Sequence, residues 1–293
     1  NTRYKIGSIS KQFTAAALLN LIAAGARSGD GQEPVSLDTR LSSILPETSV
    51  WDRGELPPIT LRRLLNMTSS LPNFTRKPPA ELDPWGAVTP SRLRSALTGF
   101  RRSGSPTAFE YSNTGYFLLS EAIEATSGGR LYREIMQATV FDKAGLGETG
   151  FTGETAPMNL ARPHYNRKPA FTAPDWLKGS ADIVSTAQDL FKWNSAIMDG
   201  HVLSSSMSAE MFSDAARVDV WTYYGAGWFI NHRDGRDTYF HSGTVPGYTG
   251  FNLISRNADS SNWCSVSILT NSDGVEGLDE LADRLVELAI GIR

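Results

Sequence analysis

Residues 8–26 are helical in composition, with Ala15, Ala16, Ala17, Leu18, Leu19 and Leu21 as strong helix formers, and 13–26 is a nearly apolar run. A helix apolar on every side belongs inside a core. Helical patterning returns at 59–66, 91–99, 114–127, 130–138 and 186–199. From about residue 218 the pattern changes. Segments 218–232, 238–242, 248–255 and 263–270 are β-like, with turn residues at Asp234-Gly235 and at 257–261. In the last segment Cys264, Val266 and Ile268 alternate with Trp263, Ser265 and Ser267, a period of two that predicts a sheet with one strongly apolar face. The chain closes on an amphipathic helix with Leu278, Leu281, Leu285 and Leu288 on one stripe. A helix-rich first two-thirds, an antiparallel sheet on short turns and a closing helix predict an α+β fold rather than a parallel dinucleotide-binding sheet. Residues 71–90, rich in proline and carrying Trp85, read as an ordered surface excursion.

The 293 residues suit two domains or one large one with an insertion. No repeat or linker divides them. The expected organisation is one domain over 1–293, with a helix-rich lobe at about 66–200 between the apolar helix and a C-terminal sheet at 218–293. With 40% hydrophobic and 20% charged residues the chain is neither disordered nor collagen-like. A net charge of −3 without a basic block argues against nucleic acid as a partner. The single Cys264 excludes an internal disulfide and any cysteine-cluster metal site. The run 13–26 contains Asn20 and falls short of the roughly 20 residues of a membrane span. It also lacks a signal peptide's basic start. The chain opens at Asn1, not Met, which reads as loss of an upstream segment. One thiol does not fix the compartment; a periplasmic or secreted setting is favoured slightly over a cytoplasmic one.

Three short motifs carry candidate chemistry. Ser8-Ile9-Ser10-Lys11 opens the apolar helix, and positions i and i+3 share a face, so the Ser8 hydroxyl and Lys11 amine can meet. A lysine in an apolar pocket has a lowered pKa and can take a serine proton. Alone, the motif reads equally as an N-cap serine beside a surface lysine. Tyr111-Ser112-Asn113 reads locally as a turn before a helix. His241-Ser242-Gly243-Thr244 ends a β-like run, where a glycine often marks close approach of a ligand or backbone. Residues 145–150 fit G-x-G-x-x-G but follow a helical stretch, so a turn is the better reading. There is no G-x-S-x-G elbow, and His164, His201 and His232 lack metal-ligand spacing. Trp221, Tyr223, Tyr224 and Trp228 read as core or pocket wall, with Tyr223 and Trp176 the candidates for a substrate cleft.

In this order, Ser-x-x-Lys, Tyr-x-Asn and His-x-Gly resemble the penicillin-recognising serine hydrolases: class C β-lactamases, D-alanyl-D-alanine carboxypeptidases and the related family VIII-type esterases. Residues 6–15, 37–47, 59–72, 181–193, 224–228 and 241–251 resemble further stretches of that family. The resemblance implies an antiparallel sheet flanked by helices, with Ser8 as acylated nucleophile and Lys11 as its base, hydrogen-bonded to Asn113. It implies Tyr111 as a proton relay, phenol or phenolate, whose pKa a nearby cation would lower. His241 and Gly243 stand where class C enzymes carry Lys-Thr-Gly, and the N–H groups of Ser8 and Thr244 form the oxyanion hole. If His241 titrates near its ordinary pKa of about 6.5, it sets a pH limb near neutrality. His241 in place of Lys suits the peptidase and esterase branches. Met67 to Pro72 stand where the family often has His-Thr-Ser-Gly-Leu-Pro, a site read as structural.

The implied activity is acyl-enzyme hydrolysis of a carboxylic ester or a D-amino-acid peptide or amide, with slow β-lactam turnover, and without metal or cofactor. The alternative is a non-catalytic homologue that binds peptidoglycan peptides or a protein partner. In the family a helix and two strands precede the nucleophile segment; here only residues 1–7 do. The expectation is an open edge on strand 263–270, covered by a homo-oligomer or a retained N-terminal fragment.

Overall fold

A computed structural model describes residues 2–28, 31, 33–82, 88–105, 107–152, 159–164, 177–233, 235–258 and 262–290. Strand β1 (Tyr4–Lys5) leads through a 3₁₀ turn (Gly7–Ile9) into helix α1 (Ser10–Ala23). Then come α2 (Leu61–Leu65), α3 (Pro90–Leu97), α4 (Asn113–Ala125) and α5 (Tyr132–Met136). A π-helical turn (Gln137–Phe141) joins α5 to α6 (Asp142–Ala144), followed by β2 (Gly150–Phe151), β3 (Ile183–Ser185), α7 (Ala187–Met198) and α8 (Ser205–Met211). The C-terminal part holds β4 (Ala216–Arg217), β5 (Thr222–Tyr224), β6 (Phe229–Arg233), β7 (Arg236–Val245), β8 (Tyr248–Asn257), β9 (Trp263–Thr270) and α9 (Leu278–Ala289).

Strands β4 to β9 form one antiparallel sheet in sequence order, and β1-β3-β2 a second, smaller antiparallel sheet. The fold is α+β, as the patterning predicts. Helix α1 is buried at every position from Ser10 to Leu19. It is the hub of the largest core cluster, where Phe13 stacks on Trp193 of α7 at 4.3 Å between ring centroids. Buried amides tie the hub to the sheet: the Trp193 Nε1 and Asn252 Nδ2 groups both donate to Gln12 Oε1 at 3.1 Å, and Asn194 and Asn252 exchange hydrogen bonds at 2.9 Å.

The sequence pattern departs from the fold in three places. The run 218–232 is two strands, because Gly225 and Gly227 pull 225–228 against other backbone. A Cβ on Gly225 would lie 2.4 Å from the Met211 carbonyl oxygen, and one on Gly227 2.7 Å from that of Lys11. Strands β1, β2 and β3 span only two or three residues, too few for alternation to show, and α8 also escapes the patterning. In α9 the residues buried against the sheet are Ala282 and Val286, while Leu281, Leu285 and Leu288 are 45%, 40% and 71% exposed. The small Ala282 lets α9 lie close over Phe251, Leu253, Val266 and Ile268, which turns most of the leucine stripe outward. The alternation in β9 is genuine. Cys264, Val266 and Ile268 face α9, Trp263 and Leu269 reach the main core, and each stays only half-buried because β9 is the sheet's last strand.

Met67 and Ser70 have φ of +61° and +58°, a left-handed backbone that disfavours residues with a Cβ. Ser70→Gly removes that conflict. The expected outcome is a gain of up to about 1 kcal/mol in denaturant unfolding, the relief of strain exceeding glycine's added unfolded-state entropy. A loss of stability would show that the Ser70 side chain, buried beside the Ser105 carbonyl, contributes more than the strain removes.

Candidate active site

Ser8 sits in the 3₁₀ turn that heads α1, and Lys11 follows one turn later, fully buried. Lys11 Nζ lies 2.9 Å from Ser8 Oγ, 2.7 Å from Asn113 Oδ1 and 2.8 Å from the Ser180 carbonyl oxygen. Each partner is fixed by a different element. Asn113 is the first residue of α4; its Nδ2 donates to Thr75 Oγ1 at 2.8 Å and its N–H to Asn73 Oδ1 at 3.3 Å. Ser180 lies on a tight loop whose Ser180 and Ala181 amides both donate to the Leu177 carbonyl. Gly179 in that loop has φ +72°, and a Cβ there would come within 2.6 Å of Tyr116 O and Ser120 Cβ. Tyr111 is held through its neighbours: the Glu110 amide donates to Met67 O at 2.8 Å, and the Ser112 amide contacts Met67 Sδ at 3.3 Å. The Tyr111 ring centroid is 4.9 Å from Lys11 Nζ, and its hydroxyl interacts with Ser8.

Strand β7 supplies the other wall. Its pairing with β6 ends at Phe240, so residues 241–245 leave one edge free, and the Gly7–Ile9 turn packs there. The approach admits no side chain. A Cβ on Gly243 would fall 1.9 Å from Ile6 O and 3.2 Å from Ser8 N, and one on Gly7 would fall 2.7 Å from Thr244 N. The amides of Ser8 and Thr244 are thereby brought to the same place. The Val245–Tyr248 pair closes the Pro246-Gly247 hairpin, so ladder alternation turns the Thr244 N–H away from β8. His241 points inward and is buried; Ser242 and Thr244 are exposed on the other face. The His241 Nδ1–H donates to the Ser242 carbonyl at 2.6 Å, which leaves Nε2 to accept from the Tyr224 hydroxyl at 3.3 Å.

Burial dominates the electrostatics. It holds the Lys11 amine well below its ordinary range, with the field of Asp182 acting against it. It pushes the Tyr111 hydroxyl up, and the Ser8 contact and the Arg76 charge only partly oppose it, so Tyr111 is a phenol and not a phenolate. Burial, then the Lys11 charge, pushes His241 down to about 3, so His241 is neutral and cannot set a pH limb near neutrality. Tyr116 and Tyr224 are likewise held protonated.

Ser8, Lys11, Tyr111, Asn113, His241, Gly243 and Thr244 thus lie together. Tyr223 does not join them; it lies on β5 with its ring 6.1 Å from that of His232. Trp176 and Trp85 lie outside the described residues. Gly145 closes α6 in a left-handed conformation, so the G-x-G-x-x-G segment opens as a helix cap. The motifs did not reveal Asn73, Thr75, the Ser180 carbonyl or Asp182, whereas Met67 holds the backbone around Tyr111 and Tyr224 is buried against His241. Among the described residues no group of three or more His, Cys, Asp or Glu could hold a metal ion.

The family model Beta-lactamase matches residues 1–290, and the chain belongs to that family. It is 27% identical over 263 residues to the putative penicillin-binding protein PbpX of Bacillus subtilis, covering 87% of this chain and 59% of that protein. It is 25% identical over 301 residues to a D-aminopeptidase of Brucella anthropi, covering 100% of this chain and 54% of that one. The chain therefore spans little more than half the length of these relatives. Among solved structures, the D-amino acid amidase of Ochrobactrum anthropi SV3 bound to D-phenylalanine superposes with a TM-score of 0.75 at 25% identity, over 98% of this chain and 92% of that one. The octameric penicillin-binding protein homologue of Pyrococcus abyssi shares the fold, with a TM-score of 0.78 at 24% identity over 99% of this chain and 66% of that one.

Asp182 is buried behind Lys11. Burial raises its pKa to about 7 against hydrogen bonds from the Gly179 and Asp182 amides and the charges of Lys178 and Lys11, and its Oδ1 has no partner among the described residues. A carboxyl whose folded pKa exceeds its unfolded value destabilises the fold as it ionises, so stability falls between about pH 4 and pH 7. Asp182→Asn should therefore gain stability relative to wild type across that window and hold the gain above it, read by denaturant unfolding at pH 4, 5.5, 7 and 8.5. A gap that moves the opposite way would mean that the ionised carboxylate pairs favourably with Lys11.

Proposed function

We propose that this chain is a serine hydrolase that works through an acyl-enzyme on Ser8. The observation that carries the reading is the arrangement around Lys11 Nζ. In the neutral amine, two N–H groups satisfy Asn113 Oδ1 and the Ser180 carbonyl, and the lone pair is left facing the Ser8 hydroxyl. Burial favours that neutral form. Lys11 takes the Ser8 proton as Oγ bonds to the substrate carbonyl carbon. The oxyanion is received by the Ser8 and Thr244 N–H groups, donors fixed before the reaction begins. The carbon–leaving-group bond then breaks, and the proton passes from Lys11 through the Tyr111 hydroxyl to the departing atom. Water repeats the sequence in reverse to free Ser8. Neutral His241 keeps a second positive charge out of the pocket.

The substrate in this reading is a carboxylic ester or a D-amino-acid peptide or amide, with β-lactams turned over slowly. The family membership and the resemblance to a D-aminopeptidase and a D-amino acid amidase support this range. In solution we place a second copy of this chain along the free edge of β9 and beside the exposed leucines of α9, since half-buried apolar edge strands favour pairing.

Ser8→Ala should abolish labelling by a fluorophosphonate and lower turnover of p-nitrophenyl esters or D-alanyl peptides by on the order of 10⁶-fold, with unfolding unchanged. Labelling that persists in Ser8→Ala moves the nucleophile elsewhere. A wild-type protein that binds peptidoglycan peptides but is never labelled would instead be the non-catalytic homologue. For the β9 edge, sedimentation should report a species larger than the 32.0 kDa of one chain. A strictly monomeric, active 32.0 kDa protein would refute the covering.

A further inference from the structure

Helix α1 is stitched to the segment 177–183 by three of its side chains. Ser10 Oγ accepts from the Ile183 amide at 3.2 Å, Lys11 Nζ donates to the Ser180 carbonyl at 2.8 Å, and Thr14 Oγ1 donates to the Gly179 carbonyl at 2.7 Å. Positions 11 and 14 share one helix face, so they meet consecutive carbonyls of the same loop. The Thr14 bond is unusual for a helical threonine, whose hydroxyl commonly returns its proton to the carbonyl four residues back. Here that contact, to Ser10 O, is the longer one at 3.3 Å. With its proton given to Gly179, Thr14 Oγ1 accepts at 2.7 Å from the Tyr132 hydroxyl of α5, a phenol that burial keeps protonated. Thr14 is fully buried. A hydroxyl at that depth costs stability unless it is bonded, and its two short bonds both lead off α1.

The loop is held from its other side by α4. Lys178 Nζ pairs with Glu121 Oε1 at 2.6 Å and Glu124 Oε2 at 2.7 Å, and a Cβ on Gly179 would come within 2.6 Å of Tyr116 O. These contacts place the loop; the Thr14 bond sets the tilt of its backbone. The peptide plane between Gly179 and Ser180 is fixed at its carbonyl by Thr14 and at its N–H by the Leu177 carbonyl at 2.8 Å. The next plane carries the Ser180 carbonyl that Lys11 uses. Gly179, at φ +72°, is the residue that would let the first plane turn, so a bond from outside the loop is what stops it.

We propose that Thr14 is a positioning residue for the Lys11 base: its hydroxyl fixes the Gly179 carbonyl and so aims the adjacent Ser180 carbonyl at Lys11 Nζ. This inference rests on the serine-hydrolase reading above. The lone pair of Lys11 faces Ser8 only while both amine N–H groups are taken, one by Asn113 and one by Ser180.

The test follows kcat/KM for a p-nitrophenyl ester against pH in wild type, Thr14→Val and Thr14→Ser. Its acid limb reports protonation of the base in the free enzyme. The groups facing Lys11 are Tyr111 and Tyr116, held as phenols, neutral His241, and Asp182, whose pKa is about 7. Each variant is therefore also read in an Asp182→Asn background. A misdirected Ser180 carbonyl is a greater loss to the ammonium than to the amine, so in Thr14→Val the limb should move to lower pH. The plateau should fall by roughly 10²-fold as Lys11 loses its aim. Thr14→Ser, which keeps the hydroxyl, should restore both. Unfolding curves confirm that each variant is folded, and Thr14→Ala is read in the same way if the valine variant is not. A limb that stays in place or moves to higher pH overturns the proposal, whatever the plateau does, because a loosened fold lowers the rate without moving the limb. A shift that Thr14→Ser fails to reverse overturns it too. In both cases fluorophosphonate labelling of Ser8 still upholds the hydrolase reading. Absence of both labelling and ester turnover in wild type overturns both.

Discussion

The structure is organised around one amine kept out of water. A lysine at the centre of an apolar core is tolerated only if its hydrogen-bonding capacity is met and its charge can be given up. Lys11 meets both conditions: Asn113 and Ser180 take its N–H groups, and burial lowers its proton affinity. The first condition dictates much of the fold. Asn113 must stand at the start of α4, the loop at 177–182 must turn its Ser180 carbonyl inward, and α1 must be apolar enough to carry the lysine to depth. The same depth raises the Asp182 carboxyl and lowers the His241 imidazole, so the neighbours of Lys11 are driven toward neutral forms by the environment that makes Lys11 basic chemistry available.

The second constraint is contact without side chains. The Gly7–Ile9 turn and the free edge of β7 approach so closely that Gly7 and Gly243 have room for hydrogen only. That closeness brings the Ser8 and Thr244 amides together as donors already held in place. It also explains why β6 stops pairing at Phe240: a strand continuing along β7 would occupy the place of the Gly7–Ile9 turn.

Much of this was legible in the residues, and the reason lies in range. Ser8 and Lys11 are one helical turn apart, Tyr111 and Asn113 flank one residue, and His241 and Gly243 share one strand, so each pair is visible as a short motif. What escaped the sequence depends on distant chain segments. The Ser180 carbonyl is a backbone group with no side-chain signature, and Asn73 and Thr75 matter only because α4 starts beside them. The leucines of α9 were read correctly as a stripe, but which stripe is buried was decided by the fit of Ala282 against β8 and β9. Likewise, the titration of His241 and the ionisation of Tyr111 could not be read from residue type, since burial shifts both far from their ordinary values.

Neutral His241 has a consequence for the division of labour across the site. A lysine in its place would bring an ammonium into the pocket of the neutral Lys11 amine, and its charge would lower Lys11 further. The imidazole avoids this. Its Nδ1–H is spent on the Ser242 carbonyl and its Nε2 accepts from Tyr224, so it orders the inner face of β7 without adding charge. A pocket that is neutral inside has no fixed cation to attract an anionic substrate group. Any attraction of that kind is left to groups outside the pocket, where water still solvates the charge and desolvation costs little.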